Sequence, residues 1–229
     1  MSELKRTVLY DRHVAAKATM VDFGGWEMPI QYPTGIVEEH LSTRSGCGIF
    51  DVSHMGRFRI AGRDAKTFLQ HALTSNVSAL DVEQAQYALI PNETGGAVDD
   101  AYLYRFFEDS YILVVNAANA EKDWKHLNKA IEGFDASIED KSEDIALLSV
   151  QGPKSKDILT DMADGAKLTE PVKNALGSVS LCGRAVHVSK TGYTGEPIGY
   201  EVFILRRDAE FIWDELVRRG ATPVGLGAR

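Results

Sequence analysis

Residues 87–104 read Y-A-L-I-P-N-E-T-G-G-A-V-D-D-A-Y-L-Y, with two adjacent carboxylates shortly after a Gly-Gly pair. The glycines predict a turn, and the residues that follow them predict a strand. Side chains alternate across a strand, so Asp100, Tyr102 and Tyr104 are predicted on one face and Asp99 on the other. Asp100 is therefore expected to share its face with two aromatic rings.

A carboxylate between phenol rings suits a flat ligand with polar edges. The rings supply stacking area, and the acid accepts hydrogen bonds or takes up a proton. On these residues alone, a hairpin with a solvated acidic end explains the pattern equally well.

The bulk composition is that of a globular protein. The 229 residues are 44% hydrophobic and 25% charged, which fits one large or two small domains. The net charge of −8 and the lack of any Lys/Arg run argue against nucleic acid as a partner. No stretch has the signature of a secretory signal or a membrane span. Cys47 and Cys182 predict no disulfide framework and fit a reducing cytoplasm.

The sequence pattern repeats itself in the second half of the chain. A strand followed by a helix recurs, and so does a later strand together with a helix that contains Trp124 in one half and Trp213 in the other. In both helices Trp precedes Leu by three residues, which places the pair on one helical face. The repeated segments are 56–61 with 147–151, 64–73 with 154–162, and 111–116 with 200–205.

Each half is predicted as strand, helix, two or three strands, helix and strand. That is the order of a ferredoxin-like (split β-α-β) unit with an antiparallel sheet, so the predicted class is α+β with two related halves. The halves are residues 55–140 and 141–229, and residues 1–54 are an N-terminal helical and loop segment that packs with the second half. An accidental likeness between two α+β segments is the alternative.

Within the N-terminal segment, helices are predicted at residues 11–18 and 36–45, with loops at 24–25 and 29–35. The chain ends in A-T-P-V-G-L-G-A-R, which is apolar and Gly-rich. Domains usually finish in a frayed polar segment, so we expect that this chain is cut short.

The usual signatures of several enzyme classes are missing from the sequence. It has no P-loop, H-E-x-x-H, C-x-x-C or G-x-S-x-G motif, so nucleotide hydrolysis, zinc proteolysis and serine hydrolysis are not indicated. The six histidines are scattered without ligand spacing, and no metal site is predicted.

Two further segments carry candidate ligand-binding groups. In T-G-Y-T-G-E-P-I-G-Y-E (191–201), glycines allow close approach of the backbone, while Tyr193 and Glu201 offer a ring and a second carboxylate. A wide hairpin turn is the alternative. In D-V-S-H-M-G (51–56), Met55 can pack on a flat ring through its sulfur or simply fill the core.

Taken together, the chain resembles the aminomethyltransferase (T-protein) family of the glycine cleavage system. The resemblance covers the whole length present, and its motifs occur in order. They are V-D-F-G-G-W-E-M-P (21–29), F-D-V-S-H-M-G (50–56), Q-A-Q-Y (84–87), N-E-T-G-G-A-V-D-D (92–100), V-V-N-A-A-N (114–119), Q-G-P (151–153), T-G-Y-T-G-E (191–196) and G-L-G-A-R (225–229).

The resemblance implies a tetrahydrofolate site. It identifies Asp100 as the catalytic carboxylate, Glu201 as an acid that holds the ligand, and Arg229 as a ligand-binding arginine. It also implies that further residues line the folate pocket, namely Met55, Tyr87, Tyr104, Asn116 and Tyr193.

The implied substrate is an aminomethyl group on the dihydrolipoyl arm of the H-protein. Ammonia is released, and the carbon passes to tetrahydrofolate, with Asp100 stabilising the cation and taking up a proton. The resemblance also implies a continuation past G-L-G-A-R into a C-terminal β-barrel domain, which we expect this chain to lack. A folate-dependent demethylase of the same family and an inactive or folate-binding fragment are the alternatives.

Overall fold

The computed structural model describes residues 3–165, 168, 173–192 and 194–229. Its helices are α1 (Tyr10–Ala15), α2 (Ile36–Ser45), α3 (Ala65–Ala72), α4 (Ala120–Ala130), α5 (Ser155–Met162) and α6 (Arg206–Arg218), with 3-10 turns at Val77–Ala79 and Leu226–Ala228. Its strands are β1 (Thr19–Phe23), β2 (Trp26–Gln31), β3 (Gly48–Asp51), β4 (Gly56–Ala61), β5 (Gln84–Pro91), β6 (Ala97–Phe107), β7 (Ser110–Val115), β8 (Ser137–Asp140), β9 (Ile145–Gln151), β10 (Leu176–Leu181), β11 (Arg184–Ser189), β12 (Gly199–Leu205) and β13 (Thr222–Pro223).

The chain forms two compact units. Unit 1 comprises Met1–His54, Asp144–Lys173 and Gly177–Arg229, and unit 2 comprises Met55–Glu143 and Asn174–Leu176. Each unit has a hydrophobic core of its own. Each candidate site residue therefore belongs to one unit or the other.

Unit 2 has an antiparallel sheet in the order β5-β6-β7-β4-β8. The last four of these strands have the ferredoxin-like order, and β5 extends the sheet at its β6 edge. The apolar side of α3 buries Phe68 and Leu69, and α4 buries Leu127 in the same core. Trp124 packs edge-on against Phe58 of β4, with 5.1 Å between ring centroids, so the repeated Trp of the sequence is a packing residue.

Unit 1 has the same arrangement, except that one of its strands comes from the N-terminal segment. Its sheet runs β10-β11-β12-β9-β3-β13, and β3 pairs with β9 where β8 pairs with β4 in unit 2. The predicted final strand of the second half is only the two-residue β13, which pairs in parallel with β3. The α+β class with antiparallel sheets is confirmed, but the fourth strand of unit 1 comes from the N-terminal segment.

The N-terminal segment contains a hairpin that the sequence pattern did not reveal. The strands β1 and β2 pair across a turn at Gly24 and Gly25, both of which have positive φ. The predicted loop at residues 29–35 was therefore wrong over its first three residues, which belong to β2. Pro29 can lie in this strand because a two-stranded sheet leaves one side of each strand without ladder partners.

The first helix is shorter than predicted, and the second begins and ends as predicted. The helix α1 ends at Ala15, and Lys17 then adopts a left-handed φ of 60° that turns the chain into β1. The helix α2 spans Ile36–Ser45. Among the described residues, no helix combines the length and the apolar character that a membrane crossing requires.

A buried polar network ties α1 to β3 inside unit 1. His13 lies 3.1 Å from Asp51 through Nε2, and its Nδ1 lies 2.9 Å from the Tyr32 hydroxyl. The Thr7 hydroxyl donates to Asp51 at 2.6 Å. Burial alone would raise the pKa of Asp51, but the hydrogen bond and charge of His13, with further hydrogen bonds from Ser53 and Thr7, lower it to about 2. The carboxylate is therefore ionised in the folded state, as a buried charge with several donors should be.

Candidate functional site

One end of the unit 2 sheet brings together residues that the sequence separates widely. Met55 precedes β4, and Asn116 follows β7, whose last residue, Val115, pairs with both Gly56 and Ala101. Asp100 precedes Ala101 in β6. The register therefore places Met55, Asn116 and Asp100 at neighbouring positions along this edge.

Asp100 is exposed and is held by a hydrogen bond from Asn116. The Asn116 amide Nδ2 donates to Asp100 Oδ1 at 2.8 Å and to Asp99 Oδ1 at 3.0 Å. Asp99 lies on the opposite face and is only 8% exposed. The predicted alternation of the two acids is thus observed, and a single amide bridges them at the end of the sheet.

Aromatic rings run along the Asp100 face. Tyr102 lies edge-on to Tyr87 at 6.3 Å and tilted against Tyr104 at 5.4 Å between ring centroids. Tyr87 is 53% exposed, whereas Tyr104 is fully buried. Partial desolvation, the charge of Asp100 and a hydrogen bond to Asp100 raise the pKa of Tyr87. The phenol is therefore a neutral donor beside the carboxylate.

Two polar residues of this cluster were not among the predicted site residues. The Asn119 amide donates to Asp99 Oδ1 at 2.8 Å. Asp123 in the first turn of α4 is fully buried and in hydrogen-bonding contact with Asp99. The quoted motif V-V-N-A-A-N ended at Asn119, and Asp123 follows one helical turn later. The motif could have drawn attention to Asn119, whereas the contact of Asp123 with Asp99 has no local sequence signal.

Glu201 lies in unit 1, in the middle of β12. It is fully buried and accepts a hydrogen bond from the Thr191 hydroxyl. Its strand neighbours are Ser149 on β9 and Ser189 on β11, so a polar patch interrupts an otherwise apolar sheet.

The loop before Glu201 packs tightly around one glutamine side chain. A Cβ on Gly192 would come within 2.6 Å of Gln151 Oε1, and a Cβ on Gly199 would overlap the same group. Thr194 donates to Gln151 Oε1 at 2.9 Å. Gly192 and Gly199 thus allow a close approach to a side chain of the protein itself, and the approach to a ligand stays a prediction. Tyr193 lies outside the described residues.

The segment that carries Arg229 is clamped by a buried acid of α2. Glu39 accepts the backbone N–H of Gly225 at 2.7 Å and that of Tyr32 at 2.5 Å. A Cβ on Gly225 would overlap the backbone of Ile30, so only glycine fits there. Arg229 follows this turn in unit 1 and is exposed.

The site residues therefore fall into two groups. Unit 2 gathers Asp100, Asn116, Tyr87 and Met55 at one end of its sheet and buries Tyr104 further along β6, and unit 1 holds Glu201 and Arg229. Among the described residues, no group of three or more His, Cys, Asp or Glu side chains could hold a metal ion. The chemistry available at the unit 2 edge is that of a carboxylate with an amide and a phenol beside it.

A family model described as the GCVT N-terminal domain matches residues 9–229. The chain belongs to this family. The resemblance that the sequence motifs indicated is thereby confirmed.

Curated relatives within this family are named aminomethyltransferases. One protein from Deinococcus deserti and one from Thermus thermophilus are 49% and 48% identical over 226 residues, which is 99% of this chain. The chain spans 62% of the length of the first and 64% of the second.

Solved structures agree with the fold. The glycine cleavage system aminomethyltransferase T from Bartonella henselae has a TM-score of 0.89 and 34% identity, covering 98% of this chain and 60% of that chain. The heterotetrameric sarcosine oxidase from Corynebacterium sp. U-96 shares the fold at a TM-score of 0.59 and 17% identity, over 80% of this chain and 90% of that one.

Proposed function

We propose that this chain carries out the folate-dependent aminomethyl transfer of glycine cleavage, with release of ammonia. The observation that carries the proposal is the exposed Asp100 carboxylate, held by Asn116 and lying beside the half-exposed ring of Tyr87. The printed names of the relatives, aminomethyltransferases and a glycine cleavage protein, support the reaction class.

The residues at the unit 2 edge fit the chemistry of a pterin. A flat heterocycle with N–H groups along its edge needs a ring to contact and a carboxylate to accept its hydrogen bonds. Tyr87 supplies an accessible ring, and Asp100 supplies an accessible acceptor. Tetrahydrofolate, when bound, supplies the nucleophilic nitrogen to which the carbon is transferred.

In the proposed mechanism, Asp100 acts as a general base and as an electrostatic stabiliser. Its carboxylate stabilises the positive charge that develops as the C–N bond to the amine breaks and ammonia leaves, and it accepts the proton released when the carbon bonds to the folate nitrogen. The C–S bond then breaks, and the lipoyl arm leaves as a thiol. Asn116 fixes the direction of the carboxylate through its 2.8 Å hydrogen bond. A positioned base of this kind contributes about 10² to 10⁴ in rate.

The other family-matched residues are proposed as ligand contacts. By the family match we assign Met55, Tyr104 and Tyr193 to the lining of the folate site and Glu201 to the hydrogen-bond donor edge of the pterin. Tyr104 and Glu201 are fully buried in this structure, so their contact with the ligand requires that binding expose them. Arg229 is proposed to pair with an anionic group of the ligand, since a guanidinium recognises carboxylates bidentately and the chain carries a net charge of −8. Met55 lies at the same sheet edge as Asp100, which supports its assignment.

The proposed partner is the lipoylated H-protein, which presents the aminomethyl group as a thioether. The proposed compartment is the cytoplasm. Both cysteines of the sequence are free thiols in the structure, and burial raises the pKa of Cys47 to about 12. An inert, buried thiol is consistent with a reducing compartment.

The proposal is tested by supplying the purified 229-residue chain with aminomethyl-loaded H-protein and tetrahydrofolate. Ammonia and 5,10-methylenetetrahydrofolate are expected in equal amounts. Titration calorimetry with tetrahydrofolate checks binding independently of turnover. Asp81→Asn, which removes one exposed carboxylate of unit 2 away from the site, is the matched control and should behave as the parent chain.

Two results would contradict the proposal. Carbon transfer from a methylamine or sulfonium donor, with none from the H-protein, would indicate a folate-dependent demethylase. No heat of binding with tetrahydrofolate would mean that the 229-residue chain does not form the site by itself.

A further inference from the structure

We propose that Asp99 and Asp123 share one proton, and that this buried acid pair positions Asn116 and, through it, Asp100. The positioning role rests on the function proposed above, whereas the shared proton does not. Asp123 touches neither ligand nor reacting atoms, so it is a positioning residue.

The pair contains three buried carboxyl oxygens without a donor in the described part of the chain. Asp99 Oδ2 and both carboxyl oxygens of Asp123 are buried and have no donor among the residues that the structure describes. The two side chains nevertheless lie in hydrogen-bonding contact with each other. Two carboxylates cannot hydrogen-bond unless one carries a proton, and a buried acceptor left unpaired is costly.

The proton belongs to Asp123. Asp99 Oδ1 already accepts from Asn116 at 3.0 Å and from Asn119 at 2.8 Å, which stabilises Asp99 as the carboxylate. Asp123 has no such donors in the described structure, and its side chain is fully buried. A buried acid without donors beside an ionised carboxylate stays neutral, and its O–H can then donate to Asp99 Oδ2.

The neighbouring acids agree with this assignment, whereas the charge of Lys122 acts against it by lowering the pKa of Asp123. Asp99 and Asp100 face Asp123 from β6, and Lys122 flanks it on α4. Lys122 donates to the Val98 carbonyl at 2.6 Å. Burial, followed by the hydrogen bond and charge of Asp99, raises the pKa of Asp123 to about 8. Burial alone would raise the pKa of Asp99, but hydrogen bonds from Asp123, Asn116 and Asn119 hold it below its ordinary value.

The pair fixes the orientation of Asn116. Its Nδ2 has two hydrogens, and the structure directs one to Asp99 and the other to Asp100. An ionised Asp99 requires the nitrogen, and not the oxygen, of the amide to face it. The same nitrogen then donates its second N–H to Asp100. The hydrogen bond from Asn116 therefore orients the carboxylate of Asp100.

Infrared spectroscopy tests the shared proton without any substrate. At about pH 7 ordinary Asp and Glu side chains are ionised, so a C=O band of a protonated carboxylic acid identifies an exceptional group. We expect the band in the parent chain, in Asp81→Asn and in Asp100→Asn, and its loss in Asp123→Asn. Raising the pH through about 8 should remove it from the parent chain.

The positioning role is tested by the pH profile of turnover. In the parent chain the rate should fall as pH rises above about 8, because two buried carboxylates then repel each other and displace Asn116. Asp123→Asn keeps an N–H donor at the same place and should lack this fall. Asp123→Leu removes the donor and should be slower than Asp123→Asn by tenfold or more at about pH 7.

The outcomes separate the two claims. If the parent chain shows no protonated-acid band at about pH 7, or if the band persists in Asp123→Asn, the shared proton is wrong. If the band behaves as expected but the alkaline limbs of the parent chain and Asp123→Asn coincide, the positioning role is wrong. If Asp100→Asn keeps full activity while the band is present, the proposed function fails and the acid pair stands.

Discussion

Asp99 and Asp100 are neighbours in the chain but have different environments. Asp99 is buried against α4 and accepts hydrogen bonds from Asn116 and Asn119, whereas Asp100 is exposed and accepts one from Asn116. A carboxylate needs access to react and support to stay in place. Only Asp100 has access, and Asp99 belongs to its support.

Replacing Asn116 by Asp should weaken unit 2. The change removes the N–H donors to Asp99 and Asp100 and adds a carboxylate between them. A buried acceptor that loses its partner costs about 1–3 kcal/mol, and like charges add to this cost. The measurement is the urea midpoint at about pH 7.

Asn76→Asp is the control for that change, because it adds the same charge at an exposed position of unit 2. Its midpoint should match that of the parent chain. An Asn116→Asp chain that was as stable as this control would show that the amide does not bridge the two acids.

The sequence could predict that Asp100 faces outward, but it could not predict which side chain packs against Asp99. The two-residue period of a strand is a local rule, so Asp100 and Tyr102 could be placed on one face without a structure. Asp123 meets Asp99 only because α4 packs across the sheet. That contact depends on tertiary structure, and no local pattern around Asp123 indicates it.

Among the elements, α2 connects the N-terminal segment to the turn before Arg229. Glu39 satisfies the backbone N–H groups of Tyr32 and Gly225, and His40 lies 3.3 Å from the Ala228 carbonyl through Nδ1. The helix therefore fixes the position of the turn that precedes Arg229, which is one of the proposed ligand contacts.

Glu39→Ala should destabilise unit 1 by about 1–3 kcal/mol for each N–H group left buried without an acceptor. Glu38→Ala, on the exposed side of the same helix, is the control and should change stability by less than about 0.5 kcal/mol. Urea unfolding measures both. Equal effects of the two substitutions would mean that the turn before Arg229 holds its place without Glu39.

The sheet of unit 1 shows where sequence patterns stop being informative. The strands and helices of the two halves were predicted from their periodicity, and most were found within a few residues of the predicted bounds. The position of β3 beside β9 could not be predicted, because pairing partners far apart in sequence leave no local signature. In the structure β3 lies between β9 and β13.

Two buried acids make the stability of the folded chain depend on pH in opposite directions. Asp51 has a pKa lowered to about 2, so its stabilising contribution is present above about pH 4 and is lost as pH falls toward 2. Asp123 has a pKa raised to about 8. The stabilising contribution of protonated Asp123 is fully present below about pH 4 and is lost as pH rises toward 8.

The effect of Asp123 on stability is isolated by the difference in the free energy of unfolding between the parent chain and Asp123→Asn. Between about pH 4 and 8, the free energy of unfolding of the parent chain should fall by up to about 1.4 kcal/mol per pH unit relative to that of the variant, because the amide does not titrate. Urea midpoints across this range measure it. Parallel curves for the two chains would contradict a proton held by Asp123 in the folded state.

The proposed role of Asp100 as the carboxylate of a folate-dependent transfer is tested by the single-turnover rate of Asp100→Asn. The rate of methylenetetrahydrofolate formation is measured with saturating tetrahydrofolate and aminomethyl-loaded H-protein. Since the amide keeps the shape but takes up no proton, we expect a loss of about 10² to 10⁴ with folate binding largely intact. A rate equal to that of the parent chain would remove Asp100 from the mechanism.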